Sequence, residues 1–195
     1  MKSFINVLLI SFISLIQAQA LKAEPVHIQF NQSSSEFVEF IPRGGVLAMN
    51  ISYRGIPQVR QIISQTVGSS LTFLKSWNKM GEAHVTVITP PEMEILIAHK
   101  NRYMSVKRIN EIAVENKIQK SEIHIKGLGS AQVEIDNKLE STFFMIVESA
   151  NLLKIRQAIY QEFVKNGGET KAWDPQLFYP HITIGYTLRD LHISD

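Results

Sequence analysis

No cysteine occurs in the 195 residues. That absence removes disulfide frameworks, thiol nucleophiles, Cys-ligated zinc and iron–sulfur clusters together, so any catalysis must come from histidine, carboxylates or hydroxyls. A strong charge of one sign is also missing. Lys+Arg number 20 against 18 Asp+Glu, a formal balance of +2, too small for whole-protein electrostatics to hold long duplex nucleic acid. No stretch beyond the amino terminus is apolar for the roughly 20 residues that a bilayer-spanning helix needs, so no permanent membrane anchor is expected. Disorder is disfavoured as well, because hydrophobic residues make up 45% and charged residues 19% of the chain, enough apolar surface for a core.

What is present begins with an address. Lys2 precedes an apolar stretch at residues 4–16, interrupted by Asn6, Ser11 and Ser14, and Ala18-Gln19-Ala20 supplies small residues of the A-x-A type. This pattern predicts a secretory signal peptide at residues 1–20. The expected product is a secreted or periplasmic protein, residues 21–195, held together by packing without disulfides.

An internal repeat organises the remainder. Val59-Arg60-Gln61-Ile62-Ile63 recurs as Ile155-Arg156-Gln157-Ala158-Ile159, and Trp77-Asn78 recurs as Trp173-Asp174, both 96 residues later. His84-Val85-Thr86-Val87 then recurs as His181-Ile182-Thr183-Ile184, 97 residues later. Each half reads strand, helix, strand: strands at 46–53 and 84–88 around a helix at 56–77, then strands at 142–147 and 181–186 around a helix at 152–164. Asn166-Gly167-Gly168 stops the second helix. A helix at 103–118 and a strand at 122–126 join the halves, and residues 36–40 and 133–135 are further strand candidates. The expected class is α+β: one bilobal pseudo-twofold domain with lobes at roughly 36–100 and 121–195. Two small antiparallel sheets would line a central cleft, with helices outside.

The chemistry lies in the repeated strands. Side chains alternate along a strand, so His84 and Thr86 share one face while Val85 and Val87 take the other, and His181 and Thr183 are set against Ile182 and Ile184 in the same way. A single His-x-Thr is weak evidence, because a strand histidine is more often a satisfied core residue. Two at equivalent points of a repeat are not weak. One imidazole can take a proton from a nucleophile while the other gives one to the leaving oxygen. The threonine hydroxyls can donate to nonbridging phosphate oxygens. Metal ligation is a poor fit, since each motif offers one strong ligand and no nearby carboxylate.

These motifs, with Tyr179-Pro180 before the second and Gly185-Tyr186 after it, resemble the two-histidine (2H) phosphoesterase superfamily, over roughly residues 46–191. The resemblance implies a bilobal fold and metal-independent, cofactor-free action on 2′,3′-cyclic or 2′-5′ phosphodiester bonds. It implies His84 and His181 as the acid–base pair, with Thr86 and Thr183 as phosphate clamps. The expected substrate is a small nucleotide or RNA end, and a monomer is expected. Two alternatives share the same residues: a catalytically idle nucleotide- or phosphate-binding module, and a 2′-5′ RNA ligase running the reaction backwards. Many members carry a basic residue shortly after the second motif, where this chain has Tyr186 and then Arg189.

Other residues carry less. Tyr179 and Tyr186 flank the second motif and are candidates for stacking on a base, although aromatics beside a strand are more often core. Trp77 and Trp173 read as packing pillars. Between Lys100 and Lys126, seven basic residues stand against three acidic ones, a local excess that reads first as a solvated helix face and second as the flank of an anion site. His27, His99, His124 and His192 match no motif.

Overall fold

The computed structural model describes residues 45–51, 53–75, 82–98 and 104–191. The leader and the strand candidate at 36–40 lie outside these residues. The first half contains β1 (Leu47–Asn50), a 3-10 turn at Tyr53–Gly55, α1 (Ile56–Val67) and β2 (His84–Ile88). Then come α2 (Pro90–Ile97), α3 (Val106–Glu115) and a 3-10 turn at Ile118–Lys120. The second half contains β3 (His124–Ile135), β4 (Lys138–Glu148), α4 (Ala150–Lys165) and β5 (His181–Tyr186).

α1 is shorter than the apolar spacing predicts. Gly68 adopts φ 66°, the left-handed conformation that ends helices cheaply only at glycine. Beyond it the chain is extended and pairs with the end of β5: Thr72 and Tyr186 exchange both main-chain hydrogen bonds, at 2.8 and 2.9 Å. The strand candidates at 122–126 and 133–135 merge into β3, which turns into β4 through Asp136 and Asn137, both at positive φ, as a two-residue hairpin loop requires.

All five strands form one antiparallel sheet in the order β1-β2-β5-β4-β3. The α+β class holds, but the two separate sheets expected from the repeat do not. The inner strands of the halves, β2 and β5, pair antiparallel with Val85 opposite Ile182. This joins edges whose main-chain N–H and C=O groups would otherwise need other partners. The motif pairs therefore lie side by side on one sheet face instead of confronting each other across a gap between sheets.

The other face carries the core. Leu47, Met49, Val85, Val87, Met145, Val147, Ile182 and Ile184 are buried there under apolar residues of the helices, among them Ile56, Ile63, Ile109, Leu152 and Ile159. The packing is reciprocal, with α1 lying against β5 and α4 against β2. The repeat's two arginines follow suit. Arg156 is 1% exposed and donates to the Val87 carbonyl at 2.7 Å, to both Glu92 oxygens at 2.7 and 3.1 Å, and to the carbonyls of Pro175, Asp174 and Leu177. Its guanidinium stacks near Trp173 and Phe178. Arg60 lies over Phe73, donates to the Tyr53 hydroxyl at 2.6 Å, and runs its stem beside Gly185 of β5. Arg156 thus ties β2 to the loop that delivers the second motif.

Candidate active site

The pairing of Val85 with Ile182 decides the geometry. Continuing that antiparallel register one residue each way sets His84 opposite Thr183 and Thr86 opposite His181. Since Val85 and Ile182 point into the core, all four neighbours point to the opposite face. Directly opposite side chains start about 5 Å apart and diagonal ones about 7–8 Å, so each histidine meets the other strand's threonine and the imidazoles sit on a diagonal.

Each ring is held from behind by the residue two positions earlier. His84 Nδ1 lies 3.1 Å from Glu82 Oε1, and His181 Nδ1 lies 2.9 Å from the Tyr179 carbonyl oxygen. A carbonyl can only accept, so His181 Nδ1 carries the hydrogen, and a neutral ring then keeps its lone pair on Nε2. The Glu82 carboxylate imposes the same choice on His84. Both free nitrogens are therefore of one kind, each able to take or return a proton.

A family model described as Swiss Army Knife, 2H phosphoesterase domain (2H-SAK) matches residues 45–192. The chain belongs to the 2H phosphoesterase family. No curated protein and no solved structure matches it. The matched span takes in every strand of the sheet and both motifs. The protein is accordingly an enzyme of the phosphoesterase kind, a hydrolase on an α+β scaffold.

The candidate site has further members that the sequence did not announce. On β4, Phe144 pairs with Thr183 and Ile146 with His181, and the Phe144 ring lies 5.2 Å from the His181 ring. Gly129 of β3 makes this possible: a Cβ there would stand 2.6 Å from Phe144 Cε2. On the other flank, Asn50 of β1 stands opposite His84 and Ala48 opposite Thr86. A bulge follows Thr183, because Phe143 pairs with Gly185 and leaves Ile184 as the extra residue, a device common beside active sites. Thr183 is 8% exposed, and its Oγ1 faces Asp190 Oδ2 at 3.4 Å. Glu82 was legible in principle, since it continues the alternation of residues 84 and 86. Phe144 and Asp190 arrive through long-range register and a returning tail, for which no local signal exists.

The remaining candidates separate. Tyr179 is 69% exposed beside His181. Tyr186 is half-buried, with its hydroxyl 3.4 Å from the Phe73 carbonyl, and burial, then the Asp190 charge, push its phenol above the usual range. Trp173 is buried and donates to Glu92, whereas Trp77 lies outside the described residues. His124 is exposed on β3. Of the basic stretch, Lys107 and Arg108 pair with Glu111, Arg108 also with Glu115 and Glu162, and Lys126 with Glu148. That pattern is a salt-bridged surface.

Proposed function

We propose that this enzyme hydrolyses 2′,3′-cyclic or 2′-5′ phosphodiester bonds of nucleotides or RNA ends, outside the cytoplasm and without a metal. One observation carries the reading. Two His-x-Thr strands are paired about a local twofold, with each imidazole held through Nδ1 so that Nε2 is left for proton transfer. In the proposed step, one Nε2 takes a proton from water as the water oxygen bonds to phosphorus. The bond from phosphorus to the ribose oxygen breaks, and the other ring, as imidazolium, returns a proton to that oxygen. Thr86, and Thr183 once its hydroxyl turns from the Asp190 carboxylate to which it donates at 3.4 Å, donate to the nonbridging oxygens, where negative charge gathers in the transition state. The exposure of Tyr179, beside His181, supports the stacking of a base on its ring. The signal-peptide pattern at residues 1–20 supports export.

The test is incubation of the purified chain with a panel of 2′,3′-cyclic nucleotides and 2′-5′ dinucleotides, followed by phosphorus NMR with and without EDTA. Conversion to monoesters at a rate unchanged by chelator is expected. Binding without turnover across the whole panel would overturn the proposal.

A further inference from the structure

The clamp threonine of the second motif has an unusual neighbour. Asp190 Oδ2 lies 3.4 Å from Thr183 Oγ1, and Asp190 Oδ1 is buried with no hydrogen-bond partner among the described residues. The carboxylate is not there by looseness of the tail. Thr142, the β4 residue paired with Tyr186, accepts from the Leu191 N–H at 3.0 Å and faces the Arg189 carbonyl at 3.4 Å. Thr187 is fixed to Ser141 and Glu140. Residues 187–191 are thus fastened along the start of β4 so that Asp190 sits beside Thr183. The Arg189 guanidinium donates to the Asp190 main-chain carbonyl at 3.3 Å.

A buried carboxylate oxygen without a donor is costly unless it has a purpose, and beside a phosphate clamp its effect depends on the phosphate's charge. A phosphodiester carries one negative charge. A monoester carries close to two at neutral pH, since its second pKa is about 6. We propose that Asp190 is a specificity-determining residue that admits the singly charged phosphodiester and repels the doubly charged monoester, so that the product of hydrolysis is expelled. This rests on the phosphodiesterase reading above. One additional unit charge a few ångströms from a carboxylate weakens binding by at least about fivefold, the value under full water screening.

The test uses two probes that differ only by a methyl cap and one charge: 2′-deoxyadenosine 3′-monophosphate and its methyl phosphodiester. Neither has a 2′-hydroxyl with which to attack its own phosphorus. Titration calorimetry at pH 7.5 and low salt should find that the native chain binds the diester more tightly. Asp190→Asn should tighten both probes, the monoester by about the square of the factor seen for the diester, so that the monoester-to-diester affinity ratio rises at least about fivefold, with 1 M salt shrinking the difference. Asp190→Ser, which removes the charge differently, should shift the same ratio and decides the matter if the Asn variant fails to melt cooperatively. An unchanged ratio in the folded variants, or a native chain that binds both probes equally, overturns this inference alone. A native chain that binds neither probe overturns the phosphodiesterase reading along with it.

Discussion

Glu82 and His84 are in direct contact, carboxylate oxygen to Nδ1 at 3.1 Å, whereas the corresponding partner of His181 is the main-chain carbonyl of Tyr179. The two halves of the repeat thus orient their imidazoles by different means, and only one of these can be removed by mutation. Glu82→Gln weakens both the hold on the tautomer and the stabilisation of imidazolium as it forms. The expected outcome is a fall in kcat of about tenfold or more with KM little changed, by analogy with other carboxylates behind a working histidine. Steady-state kinetics of the variant check this, with circular dichroism to show that the fold is kept.

Glu92 and Arg156 predict acid sensitivity. Burial alone raises the Glu92 carboxyl, but hydrogen bonds from Arg156, the Thr89 N–H and Trp173, together with the Arg156 charge, outweigh it and leave the group below its ordinary value of 4.5. A carboxyl lowered in the folded state adds stability above its unfolded pKa, and that stability is lost as the pH falls through the folded value. Urea denaturation at pH 7 and pH 3.5 should therefore show a larger loss for the native chain than for Glu92→Gln. At pH 7 that variant should be destabilised by about 3 kcal/mol, since it leaves the Arg156 charge buried without its partner.

Two glycines of the second half separate packing from chain flexibility. A Cβ on Gly185 would stand 2.8 Å from the Thr72 main-chain oxygen, which a side-chain rotation cannot relieve, whereas one on Gly127 meets nothing within 4 Å. Gly185→Ala should cost about 1–3 kcal/mol, and Gly127→Ala should change stability by less than about 0.5 kcal/mol. Thermal melting of the pair measures both.

Local pattern made some elements legible and left others dark. β2 and β5 occupy the residues that β-branched alternation marked, 84–88 and 181–186, because their apolar faces are buried and fix the register. α4 overran its expected ends by only two residues and one. α2 has no counterpart among the expected elements. The signal was nonetheless present in Thr89-Pro90-Pro91-Glu92: the Glu92 carboxylate accepts from the Thr89 N–H and hydroxyl at 2.8 and 2.9 Å, and proline suits a first helical turn. The repeat brought His84, Thr86, His181 and Thr183 to attention, but not the way their strands meet. Whether two inner edges pair directly or stand apart is settled by long-range hydrogen bonding, which leaves no periodicity to read. The same reason hid Asp190, whose place depends on Thr142 capturing the tail.

The central claim is that two imidazoles on paired strands share one proton-transfer cycle at phosphorus. Its most direct measurement is the rate of 2′,3′-cyclic nucleotide hydrolysis by the native chain, His84→Ala, His181→Ala and the double variant, with melting curves alongside. Each single variant should lose about 10²–10⁴-fold in kcat, the double variant should lose little beyond either single one because the pair acts as a unit, and melting should barely move. Native-like turnover in the double variant would contradict the account.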